Sequence, residues 1–217
     1  MDATRPTLRD RNRARARAEI VAAARRLFLR YGYALTSVEQ VAAEAGVAPR
    51  TVFRHFPRKE DLVFHRHAEE LGRFRRLLAE QPPARPALDA LVGALLGLLQ
   101  LEREPEEGRG EMLELLEREP ELQRRDEALV ADHHAAVADF LRERIEAAAA
   151  ARGEALAPGA AEQRADLLAG AFMGAIAAAR RLVRLQPQTE PREHLSAAIE
   201  LLRALDWPAA PAPAVHD

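Results

Sequence analysis

The sequence predicts an all-α protein of about nine helices, and three observations carry that prediction. Ala, Leu, Glu and Arg dominate the 217 residues, and all four favour helix. Apolar residues recur at spacings of three and four rather than two, and β-branched runs are missing. Pro and Gly punctuate the chain at intervals that suit helix ends.

The first helix is expected over Arg13–Tyr31, with Ile20, Ala24, Leu27, Phe28 and Tyr31 as its apolar stripe and Gly32 as the residue that stops it. A second helix starts after Thr36, where Thr36 and Glu39 read as a capping box, and turns Val38, Val41, Ala42 and Ala45 inward until Gly46 breaks it. Pro49 suits the first position of a third, short helix, since its missing N–H costs little there. That helix ends near Phe56-Pro57, because the residue before a proline disfavours helix. Longer helices follow over 58–80, 87–103, 111–118, 120–152, 160–185 and 192–205, separated by Pro82-Pro83, Pro105, Gly108, Gly153, Pro158 and Pro187. This spacing divides the chain into a flexible basic arm (1–12), a short-helix domain (13–58), a long-helix domain (59–207) and a Pro/Ala-rich disordered tail (208–217).

Composition narrows the function. Hydrophobic residues make up 48% of the chain, enough for a packed core. There is no cysteine, so no disulfide framework and no thiolate metal site is expected. No signal peptide or bilayer-spanning run is evident, which points to a soluble cytoplasmic protein without membrane partners. The net charge of −2 conceals a split: residues 1–60 carry +7 and the remainder −9. A basic end joined to an acidic remainder suits contact with a polyanion at one end only, although a solvated Arg-rich arm reads equally well from charge alone.

Residues 36–56 carry the functional signal. Two short helices joined by a Gly-bearing turn read as a helix-turn-helix, in which the first helix braces and the second enters the major groove of DNA, or, from the turn alone, as a helical hairpin with no ligand. Val52 and Phe56 are four apart and share an inward face. Pro49, Arg50, Thr51, Phe53, Arg54 and His55 are left for a duplex. Arg forks onto guanine or phosphate, Thr bonds a phosphate or touches a thymine methyl, Phe53 stacks on sugar or methyl, and His55 and Lys59 reach phosphate oxygens. Arg11–Arg17 adds minor-groove or phosphate contacts, or is simply a solvated stretch.

The string Thr36-Ser37-Val38-Glu39-Gln40-Val41-Ala42-Ala43-Glu44-Ala45-Gly46-Val47-Ala48-Pro49-Arg50-Thr51-Val52-Phe53-Arg54-His55-Phe56, continuing to Leu62, closely resembles the signature of the TetR/AcrR family of regulators. Residues 23–33 resemble that family's first helix and its glycine stop. The resemblance implies an N-terminal three-helix helix-turn-helix DNA-binding domain and a C-terminal helical ligand-binding and dimerisation domain. It further implies a homodimer on a palindromic double-stranded DNA operator, usually a repressor released by a small-molecule effector, with no cofactor and no enzymatic activity. Thr36 resembles the family's phosphate-contacting N-cap. Arg50 and Thr51 resemble its base-reading positions, His55 a backbone contact, and Lys59 the phosphate-holding Lys at the start of the fourth helix. Phe53 replaces the usual Tyr and loses one hydroxyl contact. Ala48 replaces the usual Ser or Thr cap.

Two helices of the second half offer a dimer interface. Gly170, Phe172, Gly174, Ile176 and Val183 on one, and Leu195, Ile199 and Leu202 on the other, resemble the family's inter-subunit pair; an intramolecular contact is the alternative reading. Met112, His133, Phe140, Phe172 and Met173 are candidates for an apolar pocket taking a small apolar or amphipathic effector, or are plain core, and His133 reads either way. Asp132-His133-His134 looks like a metal set, but neighbouring helical residues point apart, so none is assigned. Enzyme signatures are missing: there is no Glu-x-x-His, no Gly-x-Ser-x-Gly, no phosphate loop and no His-Glu-x-x-His.

Overall fold

The computed structural model describes residues 7–101, 115–116, 118–186 and 188–208. Among them are eight α-helices and one short 3-10 helix. The α-helices are α1 (Leu8–Tyr31), α2 (Val38–Glu44), α3 (Pro49–His55), α4 (His67–Ala79), α5 (Ala87–Leu101), α6 (Pro120–Ala151), α7 (Ala160–Leu185) and α8 (Pro191–Arg203). The expected helix over 111–118 falls mostly outside the described residues, although 115, 116 and 118 are helical. The tail beyond 208 also lies outside them.

The chain forms two compact units. One comprises residues 1–68 with 104–128, the other 69–103 with 129–217. The division is discontinuous, unlike the single boundary after residue 58 expected from sequence. The first nine residues of α6, to Ala128, belong to the first unit, and its Leu122 is fully buried there among Ile20, Phe28, Tyr33, Val41, Val52, Phe56 and Leu62. In the second unit Phe74, Leu91, Val137, Leu141, Leu168, Phe172 and Leu202 form the core. Ala165 and Ala169 bring α7 close to its neighbours, and α7 packs along α8.

Several helix ends differ from expectation, each for a local reason. α1 begins five residues early because Thr7 and Asp10 make a reciprocal capping box: the Asp10 amide donates to Thr7 Oγ1 at 3.1 Å and the Thr7 amide to Asp10 Oδ2 at 3.0 Å. Residues 8–12 of the expected flexible arm are therefore helical. The cap of α2 is Ser37, not Thr36. Ser37 pairs with Gln40 in the box, while Thr36 is buried and its hydroxyl donates to the Gly32 carbonyl at 2.8 Å. The long helix expected from Arg58 is interrupted by a 3-10 helix, Glu60–Leu62, before α4 starts. There the Asp61 carboxylate accepts from the Arg58 amide at 3.0 Å, and the Leu62 amide bonds back only three residues, to Lys59.

Other ends follow the sequence. Gly32 stops α1 with φ +87°. Gly153 (φ +66°) ends α6 in a paired motif, with the Glu154 amide reaching the Ala149 carbonyl and the Gly153 amide reaching that of Ala150. Pro191 opens α8.

Two tethers complete the second unit. Arg144 of α6 is buried, and its guanidinium donates to the carbonyls of Pro82, Pro83 and Arg85, fixing the loop between α4 and α5. Burial holds its pKa below the ordinary arginine range. Trp207, past α8, packs on the core and donates Nε1–H to the Leu202 carbonyl at 2.7 Å.

Because Ser37 carries the α2 cap, Ser37→Ala is expected to destabilise the first unit by about 1 kcal/mol in urea unfolding. Thr36→Ala is expected to act through its inward hydroxyl and a lost buried methyl, costing about 1–2 kcal/mol.

Candidate nucleic-acid interface

The candidate interface is built on α3. Its seven residues alternate between commitments: Val52 is fully buried and Phe56, just past the end, is 3% exposed, while Pro49, Arg50, Phe53 and Arg54 are exposed. Thr51 and His55 are half-buried. The two buried anchors, one helical turn apart, turn the polar face outward. As expected, Ala48 caps nothing with its side chain, and Pro49 occupies the first helical turn.

A cationic surround supports this face. His55 has its pKa held below the ordinary histidine range, first by burial and then by the charges of Arg54, Arg13 and Arg17. Its ring centroid lies 6.2 Å from that of Phe56. Between α1 and α2, Arg26 Nε and Nη2 both donate to Glu44 Oε1, at 3.1 and 2.9 Å. That pair is exposed and contributes little stability by itself.

Two expected DNA contacts turn inward. Thr36 is 2% exposed and faces the α1–α2 turn, so the outward cap position belongs to Ser37. Lys59 does not open a long helix: its ammonium donates to the Tyr33 carbonyl and sits 4.0 Å from the Tyr33 ring and 6.0 Å from that of Phe28. Burial lowers its pKa, partly opposed by Glu121, Glu119 and Glu60. In this conformation the ammonium is committed to the protein instead of being presented to a phosphate. The same acids, after burial, push the Tyr33 hydroxyl pKa up, and that hydroxyl has no hydrogen-bond partner among the described residues. Arg17 also faces inward, neither a solvated residue nor an outward phosphate contact in this conformation.

The residues expected to form an effector pocket lie in or against the core of the second unit. Phe172 is 1% exposed, and Met173 packs beside it. Phe140 lies under the Arg144 guanidinium at 4.9 Å. His133 packs 5.8 Å from Phe74, with Nδ1 3.3 Å from the Leu129 carbonyl. Met112 is outside the described residues. Two open clefts occur elsewhere. One, of about 250 Å³, is lined by Ile145, Ala148, Leu156, Arg164 and Trp207. The other, of about 500 Å³, is lined by His134, Asp139, Arg142, Gln163 and Asp166.

The expected dimer residues separate into two groups. Phe172 and Leu202 are buried inside their own subunit, which corrects their assignment to an outer face. Gly170 and Gly174 are exposed, and Ile176, Val183, Leu195 and Ile199 are half-buried. The exposed large apolar residues of the same helices include Leu167 (69%), Leu185 (68%) and Leu201 (76%), none of which sequence periodicity singles out.

Residues 20–65 match the family model described as bacterial regulatory proteins, tetR family. The HTH-type transcriptional regulator TcmR of Streptomyces glaucescens is 37% identical over 123 residues, which is 54% of this chain and 54% of that protein. The chain thus matches about half the length of that relative. Among solved structures, SmeT in its triclosan complex is 17% identical with a TM-score of 0.62, over 93% of this chain and 99% of SmeT; SmeT is the repressor of the Stenotrophomonas maltophilia efflux pump SmeDEF. NalD of Pseudomonas aeruginosa is 24% identical with a TM-score of 0.57, over 88% and 96%. These two likenesses establish the fold. Among the described residues no helix is long and apolar enough to cross a membrane.

The lowered pKa of His55 leaves it neutral at pH 7 and protonated only as pH falls through its depressed value. Protonation adds a cation to the α3 face, so duplex affinity is expected to rise as the pH is lowered from 7.5 through that depressed value. His55→Gln is expected to flatten that dependence in fluorescence-anisotropy titrations.

Proposed function

We propose that this chain, whose N-terminal domain belongs to the TetR family of bacterial regulatory proteins, is a transcriptional repressor that binds palindromic duplex DNA as a homodimer and is released by a small-molecule effector. The observation that carries the DNA-binding part is the division of α3: Val52 and Phe56 hold it to the unit while Arg50, Phe53 and Arg54 stand exposed. A helix so held can seat in a major groove and present its N-terminal half to base edges. Arg50 and Arg54 supply forked donors for guanine or phosphate, and Thr51 a hydroxyl and a methyl. Ser37 takes the outward phosphate position at the start of α2.

Two-fold pairing follows from the geometry of groove reading. Two half-sites about one helical turn apart need two recognition helices related by a dyad. The exposed small and apolar residues of α7 and α8, Leu167, Gly170, Gly174 and Leu201, supply the subunit contact. A Cβ built on Gly174 meets nothing within 4 Å, so its own fold does not require that glycine. Close approach of a second backbone does.

Effector release rests on the second unit's apolar interior around Phe140, Phe172 and Met173, and on the likeness to SmeT, a repressor solved with triclosan. A small apolar or amphipathic molecule that opens this core would shift operator affinity only through preference for the released conformation, since equal affinity shifts nothing.

Selection of duplexes from a random pool is expected to recover an inverted repeat, and recovery of unrelated sequences would sink the reading. On the recovered duplex, Arg54→Ala or Thr51→Ala is expected to cost about 1–3 kcal/mol where the residue reads a base. Gly174→Glu is expected to keep its helical circular dichroism yet sediment as a monomer. A folded Gly174→Glu dimer would show that the contact lies elsewhere.

A further inference from the structure

We propose that Arg17 is a positioning residue for DNA recognition, which fixes the exit of the recognition helix from inside the protein and does not itself touch the duplex. The proposal rests on the DNA-binding reading given above. From α1, the Arg17 guanidinium lies 5.1 Å from the centroid of the Phe56 ring and donates through Nη2 to the His65 carbonyl. One planar group thus joins three stretches of the first unit: α1, the end of α3, and the segment that follows the 3-10 helix.

The recognition helix needs such a clamp. It has only seven residues, its N-cap Ala48 supplies no side-chain bond, and Phe56 leaves the helix in an extended conformation (φ −139°, ψ 93°) before Pro57. A helix of two turns with one bare end takes its direction from what its anchors touch. Val52 is enclosed by apolar neighbours, and its burial sets depth. The orientation of the Phe56 ring sets rotation about the helix exit, and Arg17 covers one face of that ring.

Arg17 also sits where a phosphate contact is unsuited. It is half-buried and its guanidinium lies over the Phe56 ring, whereas Arg13, one turn away, is exposed. The side chain lies three residues before fully buried Ile20, on the inward stripe of α1. The Arg17 guanidinium meets the Phe56 ring and the His65 carbonyl with separate parts of one extended group, whereas a lysine ammonium is a compact point charge and would hold these two partners in a different geometry.

The test uses the full chain, a duplex enriched from a random pool by the wild-type protein, and a scrambled duplex of equal length, each titrated at several salt concentrations. Arg17→Gln is expected to lose roughly tenfold or more on the enriched duplex, as for a misplaced base-reading side chain. It should change the scrambled duplex less than about threefold and leave the slope of log affinity against log salt unaltered. Arg17→Lys, which keeps the charge, is expected to show the same selective loss. Equal losses on both duplexes, a salt slope reduced by about one, and rescue by lysine would mean that Arg17 holds a phosphate, and would overturn the proposal. Wild-type behaviour of Arg17→Gln would overturn it as well. Should Arg17→Gln lose its helical signal, Arg17→Lys and Phe56→Leu carry the same comparison, and both must show the selective loss. A wild-type protein that enriches no duplex at all removes the DNA-binding reading and this proposal together, whereas enrichment with unaltered Arg17 variants removes this proposal alone.

Discussion

The outward face of α3 depends on the burial of two side chains one turn apart, Val52 within this seven-residue helix and Phe56 just past its end. Full burial of residues of this size is worth about 1.5–3 kcal/mol each. An isolated helix of that length is not stable in water. The helix therefore exists because its inner face is enclosed, and the outward direction of Arg50, Phe53 and Arg54 is a consequence of that enclosure. The rest of the first unit serves the same end. α1 provides the wall through Ile20, Ala24 and Phe28, the Ser37 cap sets where α2 begins, and Leu122 of α6 closes the core from a distant part of the sequence.

The cations of this unit divide by role in a way that net charge conceals. Arg50, Arg54 and Arg13 face solvent. Lys59 and Arg17 instead use aromatic faces and backbone carbonyls, Lys59 at Tyr33 and Arg17 at Phe56 and His65. An inward cation is costly unless its hydrogen bonds and charge are compensated. Here a carbonyl oxygen and a ring quadrupole meet each one, and for Lys59 the acids Glu60, Glu119 and Glu121 add their fields. Arg144 repeats the pattern in the second unit with three carbonyl acceptors.

Helix positions were legible in the sequence wherever a glycine or proline marked the end: Gly32, Pro49 and Gly153 each act as their chemistry requires. The α3 face was legible too, because a spacing of four between Val52 and Phe56 admits one inward direction. Caps were harder. Thr36 and Ser37 are adjacent, both are competent, and each has a carboxylate or amide three residues on. Only the turn after Gly32, which brings that glycine's carbonyl within reach of the Thr36 hydroxyl, decides between them. Arg17 was readable in principle: within the helix expected from Arg13 it already falls on the stripe through Ile20, Ala24 and Phe28. The direction of Lys59 was not, since it depends on a 3-10 turn that composition does not announce. In α7 and α8 leucines stand side by side, Leu167 with Leu168 and Leu201 with Leu202, so periodicity did not separate the buried Phe172 and Leu202 from the exposed Leu167 and Leu201.

Trp207 is the single tryptophan of the chain, and its indole N–H is held by the Leu202 carbonyl at the edge of the second unit's core. Ultraviolet emission excited at the red edge therefore originates at one address, beyond the last helix. Optical signals of that kind register events in the carboxy-terminal half and are silent about rearrangements confined to α2 and α3. A probe introduced at the amino-terminal end would give a second, independent colour, so that the two halves of one molecule can be watched separately in the same cuvette.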